Sequence, residues 1–340
     1  MTITRKLNQV RNSFYVYLPR AWCDKHSLRK DSEVRLEESP EGVLIIVPPG
    51  YEGHVHRDLK VRIPSSEKNE VEIVLTGAYI IGSTSITLEF PETLDMETRE
   101  RVSRWIRRLP GFEILDEHSD TVVVSDTSEK QMVLPILKRQ FSTAKYMLNG
   151  LVSAMEGGDT SLAARILPRD EDVDRHRYFV ERLCHLALQD AAYARRIAIT
   201  PSDCLNFSLA AKYVERIADH VCGAASEFIS LKEVGGPVIK TARSLMRTYE
   251  DTMKTFFETD SATRGHRESD VRAFDVLESA ERLAQRFEKM GSSRRGQSSR
   301  MVLLLMHLER VASYCADIGE VAVNRLIASR IGLDLSRGEG

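Results

Sequence analysis

Along the first fifty residues apolar and polar side chains alternate, the pattern of short strands. In Ser13-Phe14-Tyr15-Val16-Tyr17-Leu18-Pro19, Phe14, Val16 and Leu18 fall on one face and Ser13, Tyr15 and Tyr17 on the other, and Pro19 ends the run. A short helix over Arg20 to His26 follows, then a turn at Ser27 to Ser32 and two more strands, Glu33 to Glu38 and Gly42 to Val47. So small a unit buries little by itself, so it is expected to pair with a copy of itself. Pro48-Pro49-Gly50-Tyr51-Glu52-Gly53 reads as a linker. Residues 54–126 read as a small α+β layer. Strands are predicted near Glu70 to Leu75 and Ser83 to Phe90, a helix from about Asp95 to Arg108, and a hairpin from Phe112-Glu113-Ile114-Leu115 to Thr121-Val122-Val123-Val124. The arginines around that helix read as a solvated face.

From Glu129 onward the strand pattern gives way to helical spacing. Six helices are predicted, at about Gln131 to Glu156, Ser161 to Ala192, Pro201 to Leu231, Pro237 to Thr259, Arg267 to Met290 and Ser298 to Ile331. Thr200-Pro201-Ser202-Asp203 has the form of a capped start, and Gly157-Gly158, Gly235-Gly236 and Gly291-Ser292-Ser293 mark breaks. In the third helix, Glu215 and Asp219 lie about 40° apart, opposite Ala210, Val214, Ile217, Val221 and Phe228, so both acids are expected to face outward. The sixth helix echoes it: Glu309, Ser313, Asp317, Glu320 and Asn324 share a stripe with Leu304, Val311, Cys315, Ile318 and Ala322 behind. Glu215 and Glu309 stand 94 positions apart (309 − 215), which points to two three-helix repeats, about 130–232 and 237–332, in one elongated bundle.

Basic and acidic residues nearly cancel, 48 against 50, which excludes a chain that coats nucleic acid along its whole length. Charge is uneven, however. Arg5, Lys6, Arg11, Arg20, Lys25, Arg29 and Lys30 face the single acid Asp24 in residues 1–30, a net of +6 (7 − 1). On charge and alternation alone this is either a nucleic-acid footprint or a solvated dimerisation module. The five cysteines are scattered and form no CxxC, which argues against a disulfide framework or a cysteine zinc site. With no 18-residue apolar run and no signal pattern, a cytoplasmic protein is expected. Nucleotide-loop, nucleophile-elbow and HExxH motifs do not occur, and no nucleophile or base is poised by sequence, so an enzyme is not expected.

Two resemblances add to this reading. Arg5-Lys6, the stretch from Gln9 through Leu18-Pro19-Arg20-Ala21-Trp22, and Leu28-Arg29-Lys30-Asp31-Ser32-Glu33-Val34 resemble the AbrB-like (SpoVT/MazE-type) swapped-hairpin DNA-binding domain over about the first 48 residues. The resemblance implies dimerisation through interlaced hairpins. Arg5, Lys6, Arg11 and Arg20 would be contacts to double-stranded DNA, and Asn12 and Ser13 the loop nearest the backbone. Asn12 and Asp31 stand where glycine is usual.

Residues 130–332 resemble PhoU, the phosphate-uptake regulator family, through Glu215-Arg216-Ile217-Ala218-Asp219-His220, Arg169-Asp170-Glu171-Asp172-Val173-Asp174 and the duplication. That resemblance implies paired three-helix bundles with clustered metal ions, Fe, Zn, Mn or Mg, on the acidic faces. Asp170, Asp174, Glu215 and Asp219 match in the first repeat. In the second, Asp275 and Glu309 match, Ser313 and Val271 replace acids, and Asp317 and Glu320 are candidates to compensate. Acids four apart beside Arg216 and Arg310 also suit a plain solvated surface.

The expected architecture is therefore multidomain: a swapped-hairpin β domain at 1–48, a small α+β domain at 54–126 and an all-α, six-helix PhoU-like domain at 130–332. The combination resembles archaeal regulators and implies a homodimeric, DNA-binding transcriptional regulator of phosphate uptake. The alternative is an adaptor that docks on a phosphate transporter or signalling partner, its hairpins serving only dimerisation.

Overall fold

The computed structural model describes residues 4–38, 42–50, 57–63, 68–128, 131–258, 266–292 and 298–337. Part of the expected linker, residues 51–53, lies outside the described residues, as do Ser293, Thr259, Asp260 and the side chain of Val271. The chain divides into two compact units, Met1–His54 and Val55–Gly340.

The first unit contains two separate antiparallel hairpins. Strands β1 (Asn8–Val10) and β2 (Ser13–Tyr15) pair with Val10 opposite Ser13, leaving Arg11 and Asn12 as a two-residue turn. Arg11, not Asn12, takes the left-handed conformation there (φ 54°), a backbone setting unfavourable for a side chain with a Cβ. The short helix α1 (Arg20–Lys25) follows, and Asp31 takes up positive φ (70°) in the turn before β3 (Arg35–Glu38) and β4 (Leu44–Val47). Among the described residues of this unit, Val47 alone is buried.

The second unit begins with a four-stranded sheet in the order β5-β6-β8-β7. β5 (Asp58–Arg62) and β6 (Ser85–Glu89) run parallel, joined by helix α2 (Lys68–Ile81). Helix α3 (Met96–Arg107), capped by Asp95 on the Thr98 amide, leads into the hairpin β7 (Phe112–Glu117) and β8 (Thr121–Asp126). The strand expected near Glu70 to Leu75 is thus helix, and β5 was not anticipated. Over six residues the apolar alternation is ambiguous, but Val71, Leu75, Ala78 and Tyr79 are buried at helical spacing while Ile73 is exposed.

The helical body is built from α4 (Val133–Gly157), α5 (Thr160–Ala164), α6 (Asp170–Gln189), α7 (Ala191–Arg196), α8 (Pro201–Leu231), α9 (Gly236–Glu258), α10 (His266–Ser292) and α11 (Ser299–Arg337). The helix expected over Ser161 to Ala192 is divided, and its sequence says why. Asp159 caps α5 on the amides of Ser161 and Leu162, Pro168 sits in a 3₁₀ turn, and the extended Asp190 ends α6 and caps α7 on Ala192 and Tyr193. At α8 the predicted reciprocal cap is present: Thr200 Oγ1 accepts from the Asp203 amide, and Asp203 accepts from the Thr200 amide. The core is continuous through both repeats, with Phe141, Phe207, Phe228, Tyr249, Phe256 and Phe287 fully enclosed, each worth roughly 1.5–3 kcal/mol against exposure.

The α+β layer and the bundle, expected as domains at 54–126 and 130–332, pack together within the second unit because α2 lies on α6. At their junction Arg182 of α6 is buried. It donates to the carbonyls of Tyr79 (2.6 Å) and Ser83 (2.8 Å) and to the Asp126 carboxylate, while its guanidinium stacks on Tyr79 and Phe112. A buried charge held at three acceptors is costly to leave half-made. Asp126→Ala is therefore expected to lower the unfolding free energy by about 3 kcal/mol or more, read from urea denaturation, whereas Arg282→Ala on an exposed helix face stays within about 0.5 kcal/mol.

Candidate functional site

In the first unit the residues expected to meet DNA are all exposed: Arg5, Lys6, Arg11, Asn12, Ser13 and Arg20. Arg11, Asn12 and Ser13 occupy the β1–β2 turn and its exit, and Arg20 opens α1, where an exposed ion pair to Asp24 (3.8 Å) restrains it only weakly. Around them Leu7, Phe14, Tyr17, Leu36 and Leu44 are also exposed.

In the second unit α6 and α8 pack side by side, and successive turns put two acids on each helix at the seam. Asp170 and Asp174 come from the start of α6, Glu215 and Asp219 from the middle of α8. The outward orientation expected for Glu215 is not what forms: it is 7 % exposed, because α6 lies across it and brings Arg177 to its Oε1 at 3.5 Å. Lys212 reaches the same oxygen at 3.2 Å, and Arg216 lies 3.6 Å from Oε2. Arg216 also bonds Asp219 at 3.3 Å. From the α+β layer Arg108, stacked on Trp105, donates a hydrogen bond to Asp174 (3.2 Å) and forms an ion pair with Glu171 (3.3 Å).

Asp170 is the exception. Among the described residues it has no ion-pair partner, and its Oδ1 is buried without a hydrogen bond. Burial, then repulsion from Asp174, Asp219 and Glu215, pushes its pKa up to about 7 against a weaker pull from Arg108. Burial likewise raises Asp174 to about 6, with Arg177 and Arg108 opposing. Asp219 is raised by burial and by Glu215. Cys222, one turn further along α8, is pushed up to about 12 by burial and by the acids Asp170, Asp219 and Asp174.

The second repeat does not reproduce this cluster. Asp275 is exposed and is not among the charges acting on Asp317, whose pKa is raised by burial and by Glu320 and lowered by Arg310. Glu309 accepts a hydrogen bond from Ser313 (2.9 Å), so the residue in place of the expected acid becomes its donor.

Between the two repeats α8 and α11 meet through residues that the sequence reading did not single out together. His220 Nδ1 and His307 Nδ1 are 2.9 Å apart, and Tyr314 stacks on both His220 and Tyr213. The offset of 94 relates Tyr213 to His307 and His220 to Tyr314, so one Tyr/His pair, exchanged between equivalent positions, forms the contact. Gly223 lets the His307 ring approach: a Cβ there would lie 2.4 Å from Cε1. Burial first, then His307 and the nearby arginines, hold the pKa of His220 down to about 4, so the pair is neutral at physiological pH.

Residues 137–227 match the PhoU domain. The matched segment runs from α4 to late α8 and contains the whole acidic seam. Solved structures similar to the chain include the phosphate transport system regulatory protein PhoU from Streptococcus pneumoniae, 18% identical over 57% of this chain and 92% of that chain with a TM-score of 0.47. Another is PhoU from Pseudomonas aeruginosa, 16% identical over 58% of this chain and 96% of that chain with a TM-score of 0.45. No curated protein matches the chain.

In the matched segment the donor chemistry suits a hard cation such as Mg, Mn or Fe, and the oxygens of Asp170 and Glu215 that lack a hydrogen bond are the kind a cation would engage. Yet among the described residues no three His, Cys, Asp or Glu side chains are placed to hold one ion. Lys212 and the guanidinium groups of Arg108, Arg177 and Arg216 supply the counter-charge instead. In this arrangement the four acids and these four basic side chains form one charge network, in which burial raises the pKa of Asp170 and Asp174.

A carboxyl whose pKa is raised on folding favours the folded state below its unfolded value and loses that advantage as pH rises through the folded value. Asp170→Asn is therefore expected to raise stability above pH 7, by about 1 kcal/mol after solvent screening of a half-exposed group, and to lose the gain between pH 7 and 4. Melting temperatures of both proteins across that range check this.

Proposed function

We propose that the chain is a homodimeric, DNA-binding regulator of phosphate uptake and phosphate homeostasis, in which residues 1–48 grip the duplex and the PhoU-matching helices report cellular state to them. The observation that carries this reading is the surface of the first unit. Its apolar side chains lie open, with Leu7 at 70 % and Phe14 at 67 % exposure, and a second copy of the same hairpins is the partner that the AbrB-like resemblance supplies for them. Covering those side chains by a twofold operation would bring two sets of Arg5, Lys6, Arg11 and Arg20 into one assembly, positive charge of the kind that contacts a phosphate backbone. The PhoU-domain match supports the regulatory half of the proposal.

A second reading is favoured by α11, where Val302, Leu303 and Met306 are exposed along one stretch. There the chain is an adaptor whose helices dock on a phosphate transporter component or signalling partner, and the hairpins only dimerise.

Binding of genomic DNA fragments by the full chain and by a variant carrying Arg5→Ala, Arg11→Ala and Arg20→Ala separates the two. The regulator reading expects weaker binding and a log–log salt slope reduced by roughly 0.9 for each phosphate that the variant no longer neutralises. Unchanged affinity and slope would remove the DNA role and leave the adaptor. Dimerisation has its own check in sedimentation: Phe14→Asp is expected to yield monomer, since it sets a charge into the apolar face to be covered.

A further inference from the structure

A cleft of ≈ 570 Å³ opens in the second unit between the end of the α3 region, the first half of α4 and the start of α6. Three arginines line it, Arg139 from α4, Arg169 just ahead of α6, and Arg175 on α6, together with His176 and one acid, Asp172. Asp172 pairs with Arg169 at 3.0 Å. Arg139 and Arg175 form no ion pair among the described residues, so the cleft holds a net charge of +2 (3 − 1) in two guanidinium groups without a carboxylate partner. Both act on the same ring. The pKa of His176 is lowered first by burial, then by Arg139, with Arg175 adding to this and Asp172 opposing. A neutral imidazole therefore shares the cleft with these two cations, able to accept or donate one hydrogen bond.

The remaining walls have a different character. Pro110, Ile136 and Phe179 present apolar surface to the same space. Guanidinium groups match the oxygens of phosphate in geometry and charge, and an aromatic ring beside them offers a face to a flat organic group. The volume lies within the range of small-molecule sites, roughly 300–1,000 Å³, and far exceeds what a bare oxyanion fills. This cleft lies on the opposite side of α6 from Asp170 and Asp174, because Asp172, Arg175 and His176 occupy the other face of the same turns.

We propose that this cleft binds a phosphorylated organic anion of nucleotide size, its phosphate groups held by Arg139 and Arg175 and its organic body lying against Phe179. The inference goes beyond the regulatory reading and does not depend on DNA being bound. It gives the helical body a ligand whose charge and shape both matter, on the helix that also carries half of the acidic seam.

The test is ATP binding to the full-length chain by titration calorimetry at low ionic strength, without added metal. One site per chain is expected, and Arg139→Gln and Arg175→Gln should each weaken it roughly ten- to a hundredfold, the loss of a hydrogen bond to a charged group. Both positions are exposed on helices, and glutamine keeps helix propensity, so these variants retain the fold. The triple variant Arg5→Ala, Arg11→Ala, Arg20→Ala should bind ATP as the wild type does, and inorganic phosphate should bind much more weakly than ATP. The proposal is overturned if ATP does not bind, if neither glutamine variant weakens it, or if the triple variant abolishes it. Inorganic phosphate binding as tightly as ATP would overturn the organic-body assignment.

Discussion

Helix α8 is packed on more than one side, and most of the chemistry of the helical body follows from that constraint. Its apolar stripe closes the core against α4, while α6 and α11 cover flanks that a two-faced helix would leave to water. Polar residues on those flanks are consequently taken into contact with other helices. On one flank Glu215 and Asp219 meet Asp170 and Asp174, and the repulsion is contained by Arg108, Arg177, Lys212 and Arg216. On the other, His220 meets His307, the second repeat's counterpart of Tyr213, as a neutral pair, because two imidazolium ions could not share that space. The seam and the histidine pair are two answers to one problem of partial burial.

What the sequence discloses and what it conceals divide along the range of the interactions involved. Local signals carry through to the structure: the Thr200/Asp203 cap, the helix starting near Asp95, the hairpin after Phe112 and the apolar stripe of α11 all depend on residues a few positions apart. The reading of 70–75 as strand fails because a six-residue window cannot distinguish alternation from the start of a helix whose next turn, Ala78 and Tyr79, makes the same face. The single helix expected over 161–192 fails for a similar reason: Asp159, Pro168 and Asp190 are legible as breaks, but the surrounding periodicity masks them.

The candidate site shows the same division. The four acids of the first repeat, singled out by the PhoU resemblance, do converge. That Glu215 would be buried was not legible, because Arg177 and Arg108 reach the cluster from other elements and no local pattern announces them. His307 and Tyr314 were within reach. Their separation of seven repeats that of Tyr213 and His220, and the 94-residue offset exchanges the two residue types. Asp275, by contrast, has the right position in the repeat and stands exposed, so equivalence of sequence position does not by itself secure equivalence of surroundings.

The hairpins at the amino terminus enclose one described side chain, Val47. In the proposed dimer such a segment draws its order from association, and a bimolecular folding step makes the ordered fraction climb with the amount of chain present. Under that proposal, doubling the cellular level of the protein more than doubles the amount of assembled hairpin at low occupancy, so abundance itself becomes an input alongside any signal carried by the helices.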